Sequence, residues 1–366
     1  MIALAAPSVE RSQKGGEAQA LQMGDLGRIA FVRETMGRAD PALQVFPQAI
    51  REMVFEHHRL WVEPLILRHW PECLEERAGR KLRFLSCNLY ATAPYTVLFA
   101  AHRAPWPVAI ARFLGTALRL RPASLAGICS QAATAVGNLI PELTKRRIIL
   151  ISSFIATIDH VYDNCFGTLE AEQRGRRMRG LLNGEWSPDA TSPHAGAFRL
   201  VRALFDEMSG GLETDEDRIQ FGRAVESLRE YIDAEVNAMI GVPDPTGNCW
   251  RIPGVRGTID GLIFPVHAWA GELAREWMYS VSLFVQVLDD FLDAEKDAAD
   301  IRPTPILTGT WTKETLASVW QSTLDGVELL ARQSGIADPR YLEFVRETYR
   351  MMAIETADAM SGGSAA

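Results

Sequence analysis

Asp159 and Asp163 stand four residues apart in the run DHVYDN at 159–164, directly after a stretch, 148–158, that is almost wholly apolar. At helical spacing the two carboxylates share one face, about 6 Å apart along the axis. Asp289, Asp293 and Asp297 repeat the pattern at i, i+4 and i+8 in DDFLDAEKD, 289–297, again where an apolar run turns acidic. Like charges at this spacing cost about 0.2–0.5 kcal/mol per pair in water and more when desolvated, so each patch needs compensation. A hard divalent cation supplies it, because magnesium takes one or two carboxylates, keeps several waters and completes its shell with phosphate oxygens. Metal ligands are therefore expected at Asp159, Asp163, Asp289, Asp293 and Asp297. A single D-x-x-x-D pair is more often a solvated helix face. The weight comes from its recurrence at the ends of two apolar helices.

Such patches can meet only if long helices carry them and the chain between them returns. Helical periodicity runs through 46–68, 143–166, 198–208, 218–240, 266–299, 313–332 and 340–360, separated by joints containing Pro and Gly. Turn-rich loops are expected at 182–193 and 241–248, and no convincing run of alternating strands appears. The expected fold is all-α, one large helical domain over 25–360, with disordered tails at 1–24 and 361–366. Several helices separate the two patches, enough to bring them face to face across a bundle.

Composition narrows the function classes. Hydrophobic residues make up 47% and charged residues 23% of 366, the profile of a globular chain. The 38 basic and 46 acidic side chains leave a net charge of −8, which disfavours nucleic acid or an anionic membrane surface as a partner. Five scattered cysteines without C-x-x-C spacing point to a reducing, cytoplasmic setting rather than to disulfides or zinc. The apolar run at 2–6 is too short for a signal-peptide core, and the uncharged apolar-rich stretch 88–101 contains Pro94 and is too short to span a membrane. Phosphate-loop, dinucleotide and serine-hydrolase motifs are missing from the sequence.

The paired patches resemble those of the class I isoprenoid (terpene) synthase superfamily. DHVYDN is similar to its first aspartate-rich motif in the short D-x-x-x-D form, and DDFLDAEKD fits the frame of the second cyclase motif with aspartate at all three metal positions and Lys296 in register. The segment 284–293 is also similar to the second motif of chain-elongating prenyl synthases. The paired arginines that follow the first motif in those enzymes are missing here, since Asn164 follows Asp163 and Arg174, Arg176, Arg177 and Arg179 come later. The run GRKLRF at 79–84 is similar to their basic motif but lies far upstream and reads as a solvated basic turn, and Arg340 and Tyr341 read as a surface pair. The all-aspartate second motif is most similar to that of the large bacterial terpene synthases typified by tetraprenyl-β-curcumene synthase.

The resemblance, which covers about 145–309, implies a helical bundle of the isoprenoid synthase type with a central apolar cavity, often dimeric. It implies three magnesium ions and a prenyl diphosphate substrate. Lys296, with Arg251 and Arg256 on a flexible joint, would bind the diphosphate. Phe154, Phe284, Trp277 and Tyr231 are the aromatic candidates for lining the cavity, and His160 and Tyr162 flank the first motif as late bases or helix-surface residues. The implied reaction is magnesium-assisted ionisation of a linear prenyl diphosphate to a cyclic or rearranged terpene. A prenyltransferase, chain-elongating or head-to-head, and a noncatalytic helical binding protein are the alternatives.

Overall fold

Between Ile148 and Ile158 the only polar side chains are Ser152, Ser153 and Thr157, small enough to enter a core. Thr157 turns its hydroxyl back to the Ser153 carbonyl at 2.6 Å. The segment forms the middle of the long helix Glu142–Asn164 and is buried on all sides. In the computed structural model the described residues are 20–38, 45–74, 77–90, 140–167, 169–300, 302–333 and 339–360, and no strand occurs among them.

We number the described helices in chain order: α1 Gly24–Met36, α2 Val45–Trp61, α3 Glu63–His69, α4 Arg77–Tyr90, α5 Glu142–Asn164, α6 Ala171–Asn183, α7 Ala195–Gly210, α8 Asp215–Met239, α9 Arg251–Ile263, α10 Glu272–Leu292, α11 Ala294–Ala299, α12 Lys313–Gln333 and α13 Pro339–Met360. Two helices act as hubs. The buried α5 packs against α2, α4, α7 and α9, whereas α10 packs against α1, α9, α12 and α13. The antiparallel α8–α9 pair joins the two groups.

Local chemistry sets how α8 and α9 sit. Thr214 and Asp217 form a reciprocal capping box at the start of α8. Asp217 also accepts two bonds from the Arg147 guanidinium of α5, both at 3.0 Å, which anchors that end of α8 on the first hub. Along α9, Gly257 brings the backbones so close that a Cβ there would lie 2.4 Å from the Ser227 carbonyl oxygen. Arg251 and Arg256 therefore lie on a helix, not on the flexible joint that Pro253, Gly254 and Gly257 suggest. Pro253 falls in the first turn, where the missing N–H has no helical partner to lose, and Gly257 serves contact rather than bending.

The basic run at 79–84 is likewise helical, within α4, and Gly79 is buried against the Cys73 carbonyl. The expected helix over 46–68 is divided into α2 and α3 at Val62, with Pro64 in the first turn of α3. Residues 266–271 form a joint before α10, and the rest of the expected 266–299 segment is divided at Asp293 into α10 and α11. The uncharged stretch at 91–101, Cys129 and both outer tails, 1–19 and 361–366, lie outside the described residues. Residues 20–24 form a turn and a short 3-10 helix leading into α1. No helix among the described residues is long and apolar enough to cross a membrane.

Candidate functional site

The last turn of α5 leaves the core and becomes polar. Asp159 is half-buried and accepts a hydrogen bond from the Tyr231 hydroxyl of α8 at 3.2 Å. Asp163, one turn on, is exposed. Tyr162 between them is buried, not on the helix surface, while His160 lies against the Trp70 ring at 5.5 Å.

The second patch begins on α10 and crosses into α11. Asp293 separates the two helices, yet its N–H still donates to the Asp289 carbonyl and Asp297 N–H to the Asp293 carbonyl, each at 2.9 Å, so the turn continues. Asp289 is exposed; Asp290 and Asp297 are buried. These two buried acids are seven residues apart, two turns, and so share a face. Lys296 is exposed and donates to Asp293 at 2.9 Å.

Arginines join the walls. Arg251, at the start of α9, makes a two-pronged contact with the Asp290 carboxylate at 2.9 and 3.3 Å and reaches Glu235 of α8 at 3.4 Å. Gln286 donates to the same Asp290 oxygen at 3.0 Å. Arg302 donates its backbone N–H to the Asp297 carbonyl at 2.9 Å and places its guanidinium 3.8 Å from Asp163. These contacts gather the ends of α5, α8 and α10–α11 with the start of α9 at one end of the molecule.

The electrostatics follow from crowding acids in a partly dry place. Burial pushes the Asp290 carboxyl from an ordinary 3.8 up to about 7, with Arg251 opposing and Asp289 adding. Asp297 and Glu235 move upward, burial again being the main cause and Arg251 the main opposing charge. Burial alone would lower the Arg251 value, but Asp290, Glu235 and Asp289 outweigh it and hold the guanidinium charged. The Tyr231 hydroxyl is raised by burial, then by Asp159, Glu235 and Asp163. Lys296 is raised by its bond to Asp293.

Not every sequence candidate joins this constellation. Phe154 packs against Phe205 at 6.0 Å and Phe284 against Trp320 at 4.9 Å. Trp277 donates to the Thr323 carbonyl at 2.9 Å and meets Tyr349 at 5.5 Å. All three are core side chains, and only Tyr231 of the four aromatic candidates stands among the acids. Arg256 is exposed, about 140° around α9 from Arg251. Conversely, Glu235, Gln286, Asp290 and Arg302 are site residues that the spacing of the acid stripes does not single out. Asp290 carried a readable signal: it follows Val287 by three positions, on the flank of the apolar face of α10.

The oxygen donors are of the hard type that magnesium prefers, and Asp163, Asp289 and Asp293 have solvent access. Among the described residues no three His, Cys, Asp or Glu side chains come together closely enough to hold an ion by themselves. An ion here would take one or two carboxylates and fill its shell with water and ligand oxygens, the usual habit of magnesium. A scan against protein-family models and a search of curated proteins find no match to this chain.

Proposed function

We propose that the chain is a class I terpene synthase that ionises a linear prenyl diphosphate with the aid of magnesium and releases a cyclic or rearranged terpene. An isoprenoid-synthase bundle with an apolar cavity belongs to the same proposal. The observation that carries the reading is the bridging by Arg302 of the acidic ends of two apolar helices, Asp163 on one side and the Asp297 carbonyl on the other, backed by the buried Arg251–Asp290 pair. One acidic helix end would be an ordinary solvated face; two drawn together with so little positive charge call for added cations.

In this reading Asp159 and Asp163 on one wall, and Asp289, Asp293 and Asp297 on the other, hold the ions. When bound, magnesium stabilises the negative charge that develops on the departing diphosphate. Lys296, one bond from Asp293 and largely exposed, is free to swing to a phosphate oxygen. Tyr231 fixes the orientation of Asp159 through its hydroxyl. The Arg251 link between Glu235 and Asp290 keeps α8, α9 and α10 in register. The apolar faces behind both patches keep water from the hydrocarbon part of the substrate.

The test is incubation of the protein and magnesium with geranyl, farnesyl, geranylgeranyl and longer diphosphates, with and without isopentenyl diphosphate, followed by mass analysis of the extract. A hydrocarbon or terpene alcohol formed from a single allylic diphosphate supports the reading. A product that requires isopentenyl diphosphate, or two joined allylic chains, replaces it with prenyl transfer. Binding without any product leaves a noncatalytic binder.

A further inference from the structure

The largest fully buried side chain among the described residues is a charged one, Arg28 of α1, with 1% exposure. Its guanidinium donates to the Ala20 carbonyl at 3.0 Å and to the Glu295 carboxylate at 3.2 Å, and it pairs with Asp25. Glu295 lies in α11, next to Lys296 and two residues from both Asp293 and Asp297. One turn later in α1, Phe31 meets Phe291, which is one turn before Glu295, at 5.7 Å, and the Lys313 ammonium sits 5.5 Å above the Phe31 ring.

A six-residue helix cannot hold itself in water, because nucleation costs more than so few hydrogen bonds return. Asp293, at its start, makes no side-chain capping bond. Beyond its backbone continuity with α10 and the local Arg302 bond to the Asp297 carbonyl, the orientation of α11 rests on two tertiary ties: Ala294 in the core and Glu295 held by Arg28. A guanidinium taken out of water is costly, and this one, engaged through its two terminal nitrogens while its buried Nε has no partner among the described residues, is placed directly behind the second acidic patch. It also offsets one of the like charges that crowd the stripe.

We propose that α1 is the rear support of the second acidic patch, with Arg28 as a positioning residue that acts through Glu295. Its bearing on magnesium and diphosphate rests on the function proposed above; its bearing on α11 does not. The experiment uses the full chain in four forms: unaltered, Arg28→Ala, Arg28→Lys and Glu295→Gln. Hydrogen exchange is followed at 289–300 and at 159–164, and magnesium uptake with inorganic pyrophosphate is titrated by calorimetry.

Loss of one charged hydrogen bond should speed exchange over 293–299 by about tenfold in Arg28→Ala and Glu295→Gln, with 159–164 unchanged and Arg28→Lys in between. The magnesium concentration at half-uptake should rise several-fold in the same order. Because Glu295 is half-exposed, Glu295→Gln decides the matter if Arg28→Ala loosens the whole fold. Unchanged exchange at 293–299 in Glu295→Gln overturns the support role. Faster exchange with unchanged magnesium uptake overturns its bearing on the site. Absence of uptake by the unaltered protein counts against the proposed function, and the exchange result still decides whether α1 supports α11.

Discussion

Asp290 gives the site a pH signature. Its folded value of about 7 lies above the ordinary 3.8, so between about pH 4 and 7 the folded chain keeps a proton that the unfolded chain has released. Stability from this group is complete below that window and falls as pH rises through it, by at most about 1.4 kcal/mol per pH unit. His57 and His58 act in the opposite sense: burial, with Lys145 and Arg83 adding, lowers both from 6.5 to about 4, so their contribution is lost as pH falls. The informative quantity is therefore the difference between the unaltered protein and Asp290→Asn in urea unfolding at several pH values. It should shift against the unaltered protein as pH climbs from 4 to 7, and a flat difference would show that Asp290 ionises normally. Above pH 7, where Asp290 is ionised, replacing Arg251 by Leu leaves the buried carboxylate without its cation and should cost about 3 kcal/mol, read as a lower urea midpoint. Tyr231→Phe removes the bond to Asp159 alone and, under the proposed function, should reduce product formation about tenfold with little change in melting temperature.

At the scale of elements, the seam between α8 and α9 is the feature most open to test. Alanine at Gly257 would drive a Cβ to 2.4 Å from the Ser227 carbonyl oxygen, whereas at Gly254 the nearest atom is 3.6 Å away. Gly257→Ala should lose about 1–3 kcal/mol in urea unfolding. Gly254→Ala should be neutral or gain about 0.5–1 kcal/mol, because alanine favours the helix more than glycine does. The same seam shows where sequence reading stops. Helices with a continuous apolar stripe, α5, α7, α8, α12 and α13, can be read from periodicity to within a few residues. The α9 helix cannot, because its glycines pack against neighbouring helices, Gly257 against the Ser227 carbonyl, and look like breakers until those neighbours are known. The short, arginine-rich α6 has too few apolar residues to reveal a period.

For the whole molecule, the acid spacing made both walls of the candidate site legible, and the helical repeats made the all-α class legible. The cross-links were not. Glu235, Arg251 and Arg302 act through partners distant in sequence, and no local pattern distinguishes a charged residue that bridges helices from one that faces water. Under the proposed function, Asp159→Asn and Asp289→Asn should each abolish product while leaving helical circular dichroism intact, and chelation with EDTA should stop turnover until magnesium is restored. Product retained in both variants would remove the metal assignment.

Tyr231 and Glu235 ride on α8, Arg251 rides on α9, and the glycine seam leaves these two helices no room to slide past each other. The pair is therefore a single lever whose tip touches Asp159 on one side and Asp290 on the other. Any tilt of that lever is felt at both acidic patches in the same instant, so their spacing is governed by one mechanical coordinate rather than by two independent ones.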